Sequence, residues 1–240
     1  MIALLFAALF VRFGFWQLGR RGERQTLNAR IESRMRQKAV TLAELPRDTS
    51  ELAYRTVSVA GTLDYGHELV LTSRSYEGAP GVYLLTPVLV AGSDTAVLLN
   101  RGWVYSPDGA SLELAQWRTE RVVPHTDSTA DQVTIRPMVA YARSFPAAVT
   151  RPIGVRDRPH AVSALDHAQL ARRVPYPLAP YYLVALPEEA PNLDAPARIA
   201  QPELDEGPHL SYAIQWFSFA TIAVVGVGIL VWNEERRRSA

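Results

Sequence analysis

The chain has 240 residues and a formal net charge of +1, enough length for one folded domain plus anchors and too little positive charge to mark a nucleic-acid binder. It contains no cysteine, which excludes disulfides, iron–sulfur clusters, thiolate zinc sites and a cysteine nucleophile together. The five histidines, His67, His125, His160, His167 and His209, are scattered, with no HExxH and no i, i+4 pair, so the pattern argues against a zinc site.

From the start, Met1–Val11 is apolar, Arg12 interrupts, and Phe13–Leu18 continues. With Trp16 at the headgroup zone, Arg12 lies only about 6 Å deeper at helical rise, within reach of the surface by snorkelling. No basic segment precedes the apolar run and no A-x-A-like site follows it, so residues 1–18 read as an uncleaved transmembrane helix, not a signal peptide. Over Gly22–Ala39, Leu27, Ile31 and Met35 recur every four residues among bases, which predicts a short amphipathic helix leaving the membrane. Those bases read as a solvated or lipid-facing surface; a specific anion site is the alternative. Thr41-Leu-Ala-Glu44 has capping-box spacing and predicts another short helical turn.

Strand signals then dominate. Tyr54–Gly61 alternates with Val57 and Val59 on one face, and Glu68–Thr72, Val82–Val90, Thr95–Tyr105, Gln132–Ala140 and Tyr181–Leu186 are β-rich runs bounded by Gly, Pro or Asp. Gly92-Ser93-Asp94 predicts a hairpin, and Pro87 an edge or a bulge. Ser106–Ala130 reads as a polar loop with a short helix, Ala161–Arg172 as one helix, and Pro187–Pro208 as an extended strap. The expectation for residues 19–209 is a mainly antiparallel α+β domain, a small sheet or barrel.

Leu210–Trp232 runs 23 residues without a charge. As a helix it is about 34 Å long, enough for a hydrocarbon core of about 30 Å. Tyr212 and Trp216 stand near one end and Trp232 at the other, as aromatic belts require. The tail 233–240 carries Arg236, Arg237 and Arg238, whereas Gln201–Pro208 has acids and no bases, so the tail reads as cytoplasmic and the domain as extracytoplasmic. Arg20, Arg21, Arg24, Arg30, Arg34, Arg36 and Lys38 pull the other way, but the rule weakens for long translocated loops. The fold class is thus a multi-pass protein of the cell (inner) membrane, with two transmembrane helices flanking a β-rich domain.

No GxSxG, P-loop or strand-following GxGxxG is present, which disfavours an enzyme. Three constellations stand out. Gly14-Phe-Trp-Gln-Leu-Gly-Arg20 alone reads as an aromatic anchor and a basic stop. Asn100-Arg101-Gly102-Trp103-Val104 reads first as a bulge glycine with a tryptophan core plug, and second as a ligand surface in which Arg101 supplies donors and Trp103 a flat apolar face. In His209-Leu-Ser-Tyr-Ala-Ile-Gln-Trp216, a helix would set His209, Tyr212 and Trp216 on one face at the membrane boundary. That imidazole either caps the helix or bonds a backbone group, or it ligates the iron of an amphiphilic haem.

These constellations, together with Tyr54-Arg-Thr-Val-Ser-Val-Ala-Gly61 and Gly81-Val-Tyr-Leu-Leu-Thr-Pro87, resemble in their order the surfeit locus protein one family of cytochrome c oxidase assembly factors. Phe15, the short first span and the long insert around Ala110–Ala130 are looser matches. The resemblance implies an assembly factor that helps mature subunit one of a haem–copper oxidase by binding and delivering haem a, with haem a synthase as a further partner. It implies His209 as the iron ligand; with haem held there, Tyr212 and Trp216 would line the ring and Arg20 or Arg101 would pair with the propionates. The competing reading is a chaperone that stabilises oxidase intermediates without touching haem; a membrane-tethered envelope enzyme is the third.

Overall fold

The computed structural model describes residues 2–45, 49–118, 129, 131–146, 160–188 and 194–239. The chain divides into two compact units, one of residues 1–33 with 203–240 and one of residues 34–202.

The first unit is a pair of long helices. Helix α1 runs Ile2–Met35 without a break, so the apolar start and the amphipathic stretch expected after it form one element. Helix α4 runs His209–Arg238 and ends on Arg236, Arg237 and Arg238, cations that suit a helix C-terminus. Both are long and apolar enough to cross a membrane. Their apolar side chains are bare: Ile2 is 73% exposed, Ile222 67% and Leu230 70%, which is not how a core helix of a water-soluble domain looks. Where the helices meet, small residues face one another, Ala7 and Gly14 on α1 and Ala213 and Ala220 on α4. A Cβ on Gly14 would come within 2.5 Å of the Phe217 ring. Phe10, Phe13, Trp216 and Phe219 interlock beside this seam, Phe10 and Trp216 stacking at 5.6 Å.

The second unit is built on one sheet. Its strands are β1 (Val40–Thr41), β2 (Thr56–Asp64), β3 (Leu69–Tyr76), β4 (Ala79–Leu89), β5 (Ala96–Tyr105), β6 (Gln132–Ser144), β7 (Ala161–Val162) and β8 (Leu178–Ala185), with short helices α2 (Thr49–Leu52) and α3 (His167–Ala171). The order is β1-β2-β6-β8-β5-β4-β3-β7, and a further pairing of β2 with β4 joins Leu63 to Val88. That pairing closes β2, β6, β8, β5 and β4 into a ring. The interior is filled by alternate residues of all five staves, among them Val57, Leu63, Val88, Leu99, Ala140 and Leu183. Their sequence neighbours Leu98, Tyr141, Tyr182 and Val184 point outward under β3, β7 and α3.

The sheet is mixed, which corrects the expectation of a mainly antiparallel domain. β1–β2, β3–β7 and β5–β8 are parallel pairs. The reason is parity. Direction reverses at each antiparallel step, and five reversals cannot return a ring of five strands to its starting direction. At least one step must be parallel, and it falls between β5 and β8.

Local expectations fare well. Glu44 Oε2 accepts from the Thr41 backbone N–H at 2.7 Å, beginning a single 3-10 turn over Leu42–Glu44. β4 and β5 form the hairpin around Gly92. Pro87, by contrast, is at neither the expected edge nor a bulge: β4 runs through it, paired with Leu98 of β5, and on its other side it falls where β4 passes from β3, last paired at Leu85, to β2, paired at Val88, a gap that tolerates a residue without a donor. Residues 161–172 are not one helix: Ala161 and Val162 pair with β3, and α3 starts only at His167, where the Asp166 side chain accepts from Gln169 N. Leu114–Trp117 is a 3-10 turn inside the expected loop 106–130, whose later part, with His125, lies outside the described residues.

Candidate functional site

In the helical unit, α1 presents one polar stripe at helical spacing to the segment that leads into α4. Asn28 Nδ2 donates to the Asp205 carbonyl at 2.7 Å, and Gln25 Nε2 and Arg21 Nε donate to the two Glu206 oxygens at 2.7 Å each. These bonds, the Gln25 amide first and Arg21 second, hold the Glu206 carboxyl below its ordinary value. Gly207 follows at φ +69°, its N–H donating to Asp205 Oδ1 at 2.6 Å, so the chain turns sharply into α4.

That turn brings His209 onto the same stripe. His209 Nδ1 lies 2.8 Å from Gln17 Oε1. The other ring edge faces Gly207, where a Cβ would lie 3.5 Å from Nε2. Arg20, Glu23, Arg24, Leu27, Asp205 and Pro208 join His209 and Gly207 around a cleft of about 450 Å³. Arg20 is ion-paired with Glu23, and Arg24 makes no ion pair among the described residues. Tyr212, one turn on, is 47% exposed. Trp216 is committed to Phe10 and Phe13 in the helix seam. Neither of the ordinary alternatives for His209, a cap or a backbone bond, describes a contact made side chain to side chain.

Arg101 and Trp103 belong to the sheet unit. Opposite Leu84 and Leu85 the register slips, Gly102 and Asn100 pair, and Arg101 is the extra residue of a bulge. Its side chain turns inward and is fully buried. There Nη2 donates to Glu68 Oε1 at 2.7 Å, Nε to Thr86 Oγ1 at 3.0 Å and Nη1 to the Trp117 carbonyl at 2.9 Å, while Thr86 donates to the same Glu68 oxygen at 2.6 Å. The guanidinium carbon stands 5.0 Å from the Tyr65 ring centre. The guanidinium is thus spent on the domain's own carboxylate and carbonyl. Trp103 is half-buried, against Gly81 and between Tyr76 and Tyr105, and joins no core cluster, so the bulge is as expected and the core plug is not.

The profile of the SURF1 family matches residues 4–221. The chain belongs to the SURF1 family. An uncharacterized SURF1-like protein of Mycobacterium bovis is 29% identical over 227 residues, covering 93% of this chain and 78% of that protein. A SURF1-like protein of Rickettsia felis is 25% identical over 231 residues, covering 94% and 93%. Human Surfeit locus protein 1 is 30% identical over 118 residues, 43% of this chain and 39% of that protein.

In this SURF1-family chain the helical unit brings His209 and Arg20 to one cleft, while Tyr212 is not among the residues lining it. Gln17, Arg24 and Gly207 were missed as site residues, although Gln17 stands inside the Gly14–Arg20 motif. Their signal was spatial, the meeting of two segments almost the whole chain apart. Among the described residues no group of three His, Asp or Glu side chains is placed to hold a bare metal ion.

Proposed function

We propose that this chain is an assembly factor for a haem–copper cytochrome c oxidase, and that its helical unit receives haem a and passes it toward subunit one. In this reading α1 and α4 cross the cell (inner) membrane, the sheet unit lies outside and the arginine tail lies in the cytoplasm. Haem a synthase is the expected donor. The observation that carries the reading is the His209 cleft: a single imidazole, its Nε2 edge beside Gly207, sharing the cleft with the guanidinium groups of Arg20 and Arg24.

The residues suit the cargo. Iron prefers a neutral imidazole nitrogen, and the propionates are carboxylates that pair with guanidinium groups. His209 would ligate through Nε2, and Arg24 and Arg20 would meet the propionates, Arg20 after leaving Glu23. Tyr212 has an open face for the ring. Trp216 holds α4 against α1, and Arg101 and Trp103 shape the sheet unit. One side-chain ligand suits a carrier, because the acceptor must bind more tightly for transfer to run forward.

The chain purified in mild detergent from cells that make haem a is expected to carry a haem a absorbance band, and His209→Ala is expected to lose it. Full stoichiometry and an unchanged spectrum in that variant would remove His209 as ligand. Absence of haem from the parent protein would favour the chaperone that grips an oxidase intermediate directly. Orientation has its own test, since the chain lacks cysteine. A single cysteine at exposed Glu77 should react with a membrane-impermeant maleimide in intact spheroplasts, and reaction only after lysis would reverse the topology.

A further inference from the structure

We infer that Gln17 is the positioning residue of the His209 site: its side-chain oxygen accepts the hydrogen bond from Nδ1–H and so leaves Nε2 as the nitrogen with the free lone pair. The purpose of the arrangement rests on the haem reading above; its geometry does not.

A neutral imidazole has one N–H, and which nitrogen carries it is decided by the hydrogen bond the ring makes. Gln17 Oε1 can only accept, and at 2.8 Å from Nδ1 it selects the Nδ1–H form. Nε2 then holds the free lone pair. It is the nitrogen beside Gly207, where an added Cβ would come to 3.5 Å, an ordinary contact. Two contacts fix the partners against each other. Gly14, three residues before Gln17, packs under Phe217, and Arg21, four residues after it, grips Glu206. Between these points neither α1 nor the start of α4 can slide without breaking a neighbouring bond.

Gln17 does for His209 what a carboxylate or carbonyl does for many metal-bound histidines, holding the ring's orientation and tautomer.

The test begins without haem. The full chain labelled with 15N-histidine is studied by NMR in detergent, at a pH where the imidazole is neutral, with His209 assigned by its loss in His209→Ala. The parent protein should show the Nδ1–H tautomer at His209, Gln17→Glu should keep it, and Gln17→Leu should lose it in favour of Nε2–H. Ferric haem is then titrated as the probe. Gln17→Leu should bind it about 10–100-fold more weakly than the parent. Gln17→Glu should bind at least as tightly, with a lower midpoint potential. A parent protein in the Nε2–H form, or a Gln17→Leu tautomer matching the parent, would overturn the assignment. So would equal haem affinity and potential in all three proteins. Failure of the parent to take up haem counts against the haem reading alone, and the tautomer comparison then decides Gln17 by itself.

Discussion

Arg101→Leu should lower the stability of the sheet unit by about 3–5 kcal/mol, the cost of leaving one member of a buried ion pair without its partner. Both side chains are 0% exposed, and among the described residues Glu68 would keep only the Thr86 hydroxyl as a donor. The Trp117 carbonyl would lose its donor as well. Urea unfolding of the detergent-solubilised chain, followed by tryptophan fluorescence, measures the loss. The double variant Glu68→Met with Arg101→Leu should recover much of it, since a buried pair replaced by packed apolar groups is often neutral. A single-variant cost below about 1 kcal/mol, the figure for an exposed pair, would show that the network contributes little.

Gly102→Ala should be the second most damaging change. Gly102 sits at φ +139°, and an added Cβ would lie 2.5 Å from the Ala197 carbonyl oxygen. The neighbour is backbone, and it is held there by a bridge in which Trp103 N donates to Ala197 O at 2.8 Å and Ala197 N donates to Trp103 O at 2.7 Å. The substitution must strain the bulge, at about 1–3 kcal/mol, or release the strap and forfeit two bonds of about 0.5–1.5 kcal/mol each. Amide exchange separates the outcomes: release would speed exchange at Ala197 and Trp103 while the barrel interior stays protected. A Gly102→Ala protein as stable as its parent, with both amides protected, would contradict the geometry.

Much of the fold was legible because it is written locally. Each described strand longer than two residues overlaps, though not end to end, a run that alternates or is rich in Val, Leu, Thr and Tyr between turn formers, and Gly92-Ser93-Asp94 marked its hairpin. Strand partners were not legible, because Leu98 and Leu99 look alike in sequence although one faces the barrel interior and the other does not. Two-residue strands such as Ala161–Val162 carry no period at all, and the helical reading of residues 161–172 absorbed this one. At the site, His209 was visible as an imidazole at the foot of an apolar run. Arg101 was visible as an unusual residue in an apolar strand, but nothing local told whether it turned outward to a ligand or inward to Glu68. A bulge moves a side chain from one face to the other, and periodicity cannot locate it to the residue.

The odd membership of the closed ring has a consequence for synthesis. β8 is the last stave to leave the ribosome, yet it stands between β6 and β5 in the wall. Until Leu178–Ala185 emerges, those two earlier strands have bare edges exposed to any passing chain. A stop codon before position 178 would therefore leave the ring open between β6 and β5, besides removing α4.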